Sequence, residues 1–149
     1  MTLRAAALAP STLRRLVATD LLPIGVVALL FAVRFRPFLS GGVLYLRDAG
    51  FFFVPWREIL ARHLRAGELP LWNDWLSNGR AFAADPNAAV FWPLSPLVLL
   101  VGPTGLVLVN AALCLALFYA ALRWLGLAAP AAASGAAILL FSGVFQTLP

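Results

Sequence analysis

Residues 47–96 read RDAGFFFVPWREILARHLRAGELPLWNDWLSNGRAFAADPNAAVFWPLSP, a polar and aromatic stretch between strongly apolar segments. The stretch holds five of the six acidic residues, the only histidine and four of the five tryptophans. Apolar segments by themselves only place a protein in a bilayer. A polar loop between two such segments is where a membrane protein can offer chemical groups to water, so this loop carries the functional prediction.

The composition is that of an integral membrane protein. Apolar residues make up 62% of the 149 residues and charged residues 11%, with a mean hydropathy of +0.92. Soluble domains are about half apolar and a quarter charged. All 11 basic residues are arginines scattered along the loops, so the formal charge of +5 indicates lipid headgroups and not nucleic acid. The single Cys114 excludes an intrachain disulfide and a cysteine-based metal site.

The apolar runs predict an all-α membrane protein with about three transmembrane helices, because about 20 apolar residues cross a bilayer. The first would include Asp20 near one end and Arg34 snorkelling at the other. A cleaved signal peptide is disfavoured because no small-residue cleavage pattern follows Val33. The predicted segments are a cytoplasmic tail at 1–16, transmembrane helices at 17–39, 104–123 and 128–148, and a long loop at 40–103.

The last two predicted spans form a tight hairpin, with Ala131 and Gly135, and Ala132 and Ala136, spaced four apart. This spacing gives a small-residue face suited to close helix packing, although the alanine-rich composition could explain it equally well. We expect this face to lack a partner within the chain. The apolar run also reaches Pro149 without a polar tail, so we expect a fragment of a longer protein.

Within the loop, residues 54–66 predict an amphipathic helix. Apolar residues recur there at three- and four-residue spacing, Pro55 suits the first turn and Gly67 the position after the end. The tryptophan on the apolar face suits a helix that lies flat on a membrane surface. Residues 94–101 are too short to span and precede a Gly-Pro pair, so we expect a re-entrant piece there.

Asp48 is the acid best placed for chemistry, since it follows the first span and should lie near the membrane surface. A carboxylate there could act as a general base or hold a divalent cation, and Arg47 could pair with it or bind a phosphate. Judged from the residues alone, an ordinary surface Arg–Asp turn is the better explanation of these two residues, since a single acid is a weak signal. The sequence has no glycine-rich phosphate loop, His/Cys ligand cluster or Gly-x-Ser-x-Gly elbow, so it predicts no cofactor and no dedicated metal site.

The blocks Gly67-Glu68-Leu69-Pro70-Leu71-Trp72-Asn73 and Asp85-Pro86-Asn87-Ala88-Ala89-Val90-Phe91, downstream of Arg47-Asp48, resemble the first extracytoplasmic loop of bacterial YfhO-like proteins. Those large polytopic proteins are similar to the GT-C glycosyltransferases, which use polyprenyl-phosphate sugars. The resemblance extends from Asp48 onward. It implies that Asp48 is the catalytic base and that Arg47, Arg80, Trp72 and Asn73 contact substrate. Related proteins usually have an amide in place of Asp85, so no role is carried over to it.

The resemblance therefore implies the N-terminal portion of a larger GT-C-like fold, inactive alone, in the cytoplasmic (inner) membrane of a bacterium. The whole protein would transfer a sugar from a polyprenyl-phosphate donor to an extracytoplasmic acceptor. Its expected partners are membrane lipids, the lipid-linked sugar and the remaining helices of a longer chain. The alternative is a non-catalytic membrane protein, either a lipid-linked glycan transporter or an assembly scaffold.

The side of the membrane on which the loop lies is less directly encoded. Seven arginines lie in or beside the loop and only four in the tail and the hairpin turn, so simple counting favours a cytoplasmic loop. The first helix often dominates orientation, however, and charges count less in loops that approach about 60 residues. With the family resemblance, these considerations favour an extracytoplasmic loop.

Overall fold

The computed structural model describes residues 10–42, 51, 53–75 and 78–142. Helices dominate the described residues, and a short strand pair lies within the loop. The helices are α1 (Pro10–Arg34), α2 (Arg36–Leu39), α3 (Val54–Arg65), α4 (Val98–Trp124) and α5 (Ala129–Leu140), the strands are β1 (Trp72–Asn73) and β2 (Arg80–Ala81), and a 3-10 helix spans Ser95–Leu97. The predicted all-α class therefore holds at this coarse level.

The first predicted span differs from the helix observed. α1 begins at Pro10, within the predicted tail, and ends at Arg34, after which α2 forms a separate single turn. Pro37 explains the interruption, because it has no amide hydrogen to donate to the Val33 carbonyl and its ring crowds that carbonyl, whereas it is tolerated in the first turn of α2. Phe35 lies at the junction and is only 3% exposed, packed among residues of α4 and α5. The range 17–39 predicted for the first span is therefore helical on both sides of a break at Phe35.

α4 begins earlier than the predicted second span. Gly102 has φ 71° and ψ 176°, which breaks the helix once, and Pro103 then occupies the first turn of the longer part. Within residues 94–101, where a re-entrant piece is expected, the structure has the 3-10 helix and the first turn of α4. The stretch Ser95–Trp124 contains an 18-residue segment with a mean hydropathy of 2.2. It is long and apolar enough to cross a membrane, and is the one such helix found in the described part of the chain.

α5 is shorter than the predicted third span and packs against both other long helices. It ends at Leu140, where the hydroxyl of Ser142 donates to the Leu139 carbonyl, while residues 143–149 lie outside the described part of the chain. Ala132 and Ala136 have no exposed surface and pack around Tyr119 of α4 and Val27 of α1. The Ala132 and Ala136 pair of the small-residue face therefore has partners within the chain, contrary to expectation, whereas Ala131 is exposed.

The loop packs onto the first half of α4 through α3. The end of α3 is as predicted: Gly67 (φ 72°) donates to the Leu64 carbonyl and Glu68 to that of His63, the paired bonds of a Schellman motif. The apolar face of α3 is covered by protein, however, and so does not lie on a membrane surface as the sequence suggested. The buried cluster that covers it comprises Trp56, Leu60, Ala61, Phe82, Ala88, Val98 and Leu106.

Candidate functional site

Three of the predicted substrate contacts fall on the β1–β2 hairpin, but they do not converge. In this antiparallel pair Trp72 lies opposite Ala81 and Asn73 lies opposite Arg80. Residues directly opposite each other point to the same face, and successive residues point to opposite faces. Asn73 and Arg80 thus share one face of the hairpin while Trp72 lies on the other. A single small ligand would not contact all three side chains within the hairpin itself.

Asn73 is buried, with 1% of its surface exposed. Its Oδ1 accepts a hydrogen bond of 2.9 Å from the backbone amide of Trp75, which shapes the turn after β1. Its Nδ2 is buried and has no hydrogen-bond partner in the described part of the chain. The side chain therefore has a structural role through its oxygen and an unused donor at its nitrogen.

Arg80 is held by Asp85, the acid onto which the family resemblance carried no role. Its Nη2 donates to Oδ2 of Asp85 at 2.6 Å, and Oδ1 of the same carboxylate accepts the amide of Asn87 at 2.9 Å. The Asp85 side chain is 7% exposed and that of Arg80 47% exposed. The guanidinium can still offer donors to a ligand from its exposed side, but the pair primarily joins the hairpin to the Asp-Pro-Asn turn.

Trp72 packs against the backbone at Gly79. Asn78 and Gly79 both have positive φ, 60° and 99°, as a tight reversal requires. A Cβ atom added to Gly79 would lie 2.7 Å from Nε1 of Trp72. Gly79 therefore allows both the tight turn and the close approach of the Trp72 indole. Trp72 itself remains 53% exposed.

Two contacts attach the Asp85–Phe91 block to its neighbours. Nη1 of Arg57 in α3 donates to the backbone carbonyl of Ala88. The hydroxyl of Ser95 donates to the backbone carbonyl of Ala89 at 2.5 Å. Burial lowers the pKa of Arg57, although a guanidinium remains charged throughout the pH range in which proteins fold. The block is therefore anchored to α3 on one side and to the start of α4 on the other.

The outer surface of the loop combines aromatic, aliphatic and basic side chains. The guanidinium of Arg62 lies 5.3 Å from the ring centre of Trp75, within cation–π range. Trp75 is 78% exposed and Leu69 69% exposed. Nε1 of Trp92 donates to Oδ1 of Asn110 in α4 at 3.0 Å, which ties the end of the loop to the helix that follows.

The remaining titratable groups of the loop take no part in these contacts or lie outside the described residues. Asp48, the predicted base, and Arg47 lie outside the described residues. Asp74 is exposed in the turn after β1, as expected of a turn acid. Nδ1 of His63 lies 3.4 Å from Oε2 of Glu68, a contact at the exposed end of α3.

A second polar cluster joins α1 to the last turns of α4. Tyr119 donates to Oδ1 of Asp20 at 2.7 Å, and Nε of Arg123 lies 2.9 Å from the same oxygen. Nη2 of Arg123 donates to Oδ2 of Asp20 at 3.4 Å, and Nη1 donates to the Leu127 carbonyl at 2.6 Å. The sequence placed Asp20 at a helix end but gave no sign of its partners, which are about a hundred residues away in the chain.

This cluster lines a cavity of about 600 Å³ between α1 and α4. Apart from the cluster, the walls are apolar. The α1 wall comprises Asp20, Ile24, Val27, Ala28 and Phe31. The α4 wall comprises Ala112, Leu115, Ala116, Tyr119, Ala120 and Arg123. The volume is in the range of small-molecule sites.

Neither region resembles a preformed metal centre, since no three His, Cys, Asp or Glu residues come together among residues whose positions the structure describes. The candidate sites are therefore the anchored loop, with its basic and aromatic surface, and the cavity between α1 and α4. Comparison of the chain with protein-family models, with curated proteins and with solved structures finds no match.

Proposed function

We propose that this chain is the N-terminal portion of a multi-pass membrane glycosyltransferase of GT-C type. The whole protein would transfer a sugar from a polyprenyl-phosphate donor to an acceptor outside the cytoplasmic membrane, with Asp48 as the base. The observation that carries the proposal is the joining of the two sequence blocks on which the family resemblance rests. Arg80, at the hairpin that contains the end of the first block, pairs with Asp85, the first residue of the second.

The surface of the joined blocks has groups suited to such a donor. Arg80 is half-exposed and Arg62 is exposed, so both guanidinium groups can reach a phosphate, which they bind through planar paired donors. Trp72 and Trp75 offer exposed aromatic surface of the kind enriched at the headgroup level. Because Trp72 and Arg80 point to opposite faces of the hairpin, we assign the phosphate to the Arg80 face and the interfacial contact to Trp72.

The experiment is sugar transfer by the complete protein from defined polyprenyl-phosphate donors. Asp48→Asn keeps the size of the side chain and removes its charge, so it should lower turnover by about 10²–10⁴-fold, as loss of a general base does. Asp74→Asn is the matched control, because that acid lies exposed in a turn of the same loop. Unchanged turnover in Asp48→Asn, with membrane insertion intact, would reject Asp48 as the base.

A non-catalytic role is the second candidate, favoured by the internal bonds of two predicted substrate contacts. Asn73 uses its oxygen to shape a turn and Arg80 uses one nitrogen to hold Asp85. A lipid-linked glycan transporter or an assembly scaffold would require such bonds for loop structure alone. Absence of transfer by the wild type with every donor, although the loop folds normally, would favour this role. Transfer that none of Asp48→Asn, Asp74→Asn and Asp85→Asn lowers would likewise show that these loop acids are not catalytic.

A further inference from the structure

The cavity between α1 and α4 follows the two helices along one face of each. Its α1 wall runs from Asp20 to Phe31 and its α4 wall from Ala112 to Arg123. Each wall therefore covers eleven residue steps, or about 16 Å at the rise of an α-helix. This length is close to half of the roughly 30 Å hydrocarbon thickness of a bilayer. In the membrane placement of the proposed function, the cavity extends through one leaflet.

Polarity along the cavity is confined to one end. Asp20, Tyr119 and Arg123 form that end, and the residues beyond them are aliphatic or aromatic. The loop packs on the opposite end of α4, against Val98 and Leu106. The polar end therefore lies at the headgroup level of the leaflet opposite the loop, and the apolar part reaches toward the bilayer centre. A phospholipid of that leaflet is arranged in the same way, with its polar headgroup at the membrane surface and its acyl chains toward the bilayer centre.

The charges at the polar end distinguish one class of headgroup from another. Asp20 and Arg123 are paired at 2.9 Å, so the cavity end presents both signs and no net charge. An anionic headgroup would meet the Asp20 carboxylate as well as the guanidinium. A zwitterionic headgroup can place its phosphate on Arg123 and its cation on Asp20. A primary ammonium can also donate hydrogen bonds to the carboxylate, which a quaternary ammonium cannot do.

We propose that the cavity between α1 and α4 binds one phospholipid with a phosphoethanolamine headgroup. One acyl chain occupies the apolar part, the phosphate contacts Arg123 and the ammonium contacts Asp20. The inference rests on the membrane placement in the proposed function, but it does not depend on sugar transfer. Alanines at 112, 116 and 120 on the α4 wall leave the room that the acyl chain occupies.

The test is native mass spectrometry of the full chain, purified in detergent and titrated with phosphatidylethanolamine, phosphatidylcholine or phosphatidylglycerol of identical acyl chains. The wild type should bind the ethanolamine lipid about tenfold more tightly than the other two, since hydrogen bonds to charged groups are the strong ones. Ala116→Trp fills the cavity and leaves the polar cluster unchanged, so it should abolish binding of that lipid. Ala121→Trp, at an exposed position of α4 outside the cavity lining, is the matched control and should bind as the wild type does.

The headgroup assignment has its own variants. Asp20→Asn should remove the preference for ethanolamine over choline, and Arg123→Gln should weaken binding of all three lipids. Equal binding of the three lipids by the wild type, or the same binding by Ala116→Trp and Ala121→Trp, would overturn the proposal. A lipid-free dimer that Ala116→Trp dissociates would also overturn it, in favour of a helix from a second copy. None of these readouts involves Asp48, so this proposal can fail while the proposed transfer activity stands.

Discussion

Two loop glycines adopt left-handed backbone in different surroundings, and the difference can be measured. Gly67 has φ 72° and nothing within 4 Å of an added Cβ atom, whereas at Gly79 that atom would lie 2.7 Å from the Trp72 indole. Gly67→Ala should therefore cost only backbone strain, about 1–2 kcal/mol. Gly79→Ala should cost more, because it must also displace the indole. Thermal unfolding of the purified protein in detergent, followed by near-ultraviolet circular dichroism, measures both.

The same pair of substitutions in a Trp72→Ala background provides the control. Without the indole, the extra cost of Gly79→Ala over Gly67→Ala should disappear and only the two backbone terms remain. An extra cost that persists in the absence of Trp72 would mean that the turn at Asn78–Gly79, and not the packing of the indole, makes glycine necessary there.

Asp85 makes two bonds that can be separated by substitution. Asp85→Asn keeps an oxygen for the Asn87 amide but loses the charge that holds Arg80, an arginine that is 47% exposed. Solvent screening makes such a pair weak, so the loss should be about 1 kcal/mol or less. Asp85→Ala removes both bonds, so it should cost more than Asp85→Asn, by about 0.5–1.5 kcal/mol for the lost turn bond. The unfolding free energy of each variant tests this order.

Repeating both Asp85 substitutions in an Arg80→Gln background separates the ion pair from the turn. The penalty of Asp85→Asn should then nearly vanish, and that of Asp85→Ala should persist in part. Equal penalties for Asn and Ala in the wild-type background would show that the charge, and not the turn bond, is the main contribution of this residue.

Sequence patterns identified the elements better than their partners. Helical spacing and Gly67 placed α3 correctly, because the period and the terminating glycine are local properties of the backbone. The surface that covers the apolar face of α3 is formed by residues far away in the sequence. This face packs against those residues, and not against the membrane surface that the sequence predicted. The pairing of Arg80 with Asp85 was missed for a related reason: an exposed arginine in a polar loop has many equivalent acceptors in sequence, including the phosphate that the resemblance suggested.

The packing of α5 against its neighbours can be tested with two alanines of the same helix, one buried and one exposed. Ala136 has no exposed surface and faces α1 and α4, whereas Ala131 is exposed. Ala136→Leu should destabilise the protein by about 1–3 kcal/mol, because extra methylene groups must displace well-packed neighbours. Ala131→Leu has nearly the same effect on helix propensity and should leave stability almost unchanged. Thermal unfolding in detergent compares the two.

An equal loss for the two leucine variants would contradict the observed packing of α5. It would indicate that the small residues of this helix reflect the alanine-rich composition alone. Gly135 belongs to the same contact with α4, since an added Cβ atom would lie 2.6 Å from Cδ1 of Leu122. That atom ends a flexible side chain that can move, so alanine at 135 should be tolerated better than leucine at 136.

For the whole molecule, the Asp20–Arg123 pair determines which helix ends lie together. It brings the first half of α1 to the last turn of α4, so the loop between α1 and α4 lies toward the other ends of both helices. If both helices cross the membrane, the tail and the turn at Leu125–Ala128 share one side and the loop lies on the other. Counting arginines favours a cytoplasmic loop, whereas the family resemblance favours an extracytoplasmic one, and the helix contacts fit either orientation.

Cysteine labelling in intact cells tests the orientation that we expect. In a Cys114→Ala background, Glu68→Cys places a thiol on the exposed loop and Leu125→Cys places one on the exposed turn. With the loop extracytoplasmic, a membrane-impermeant maleimide should label position 68 in intact cells, and position 125 only after permeabilisation. The reverse pattern would put the loop in the cytoplasm, where a base at Asp48 could not serve an extracytoplasmic acceptor. Labelling of both positions in intact cells would instead mean that the chain does not cross the membrane between them, and the proposed architecture would fail as a whole.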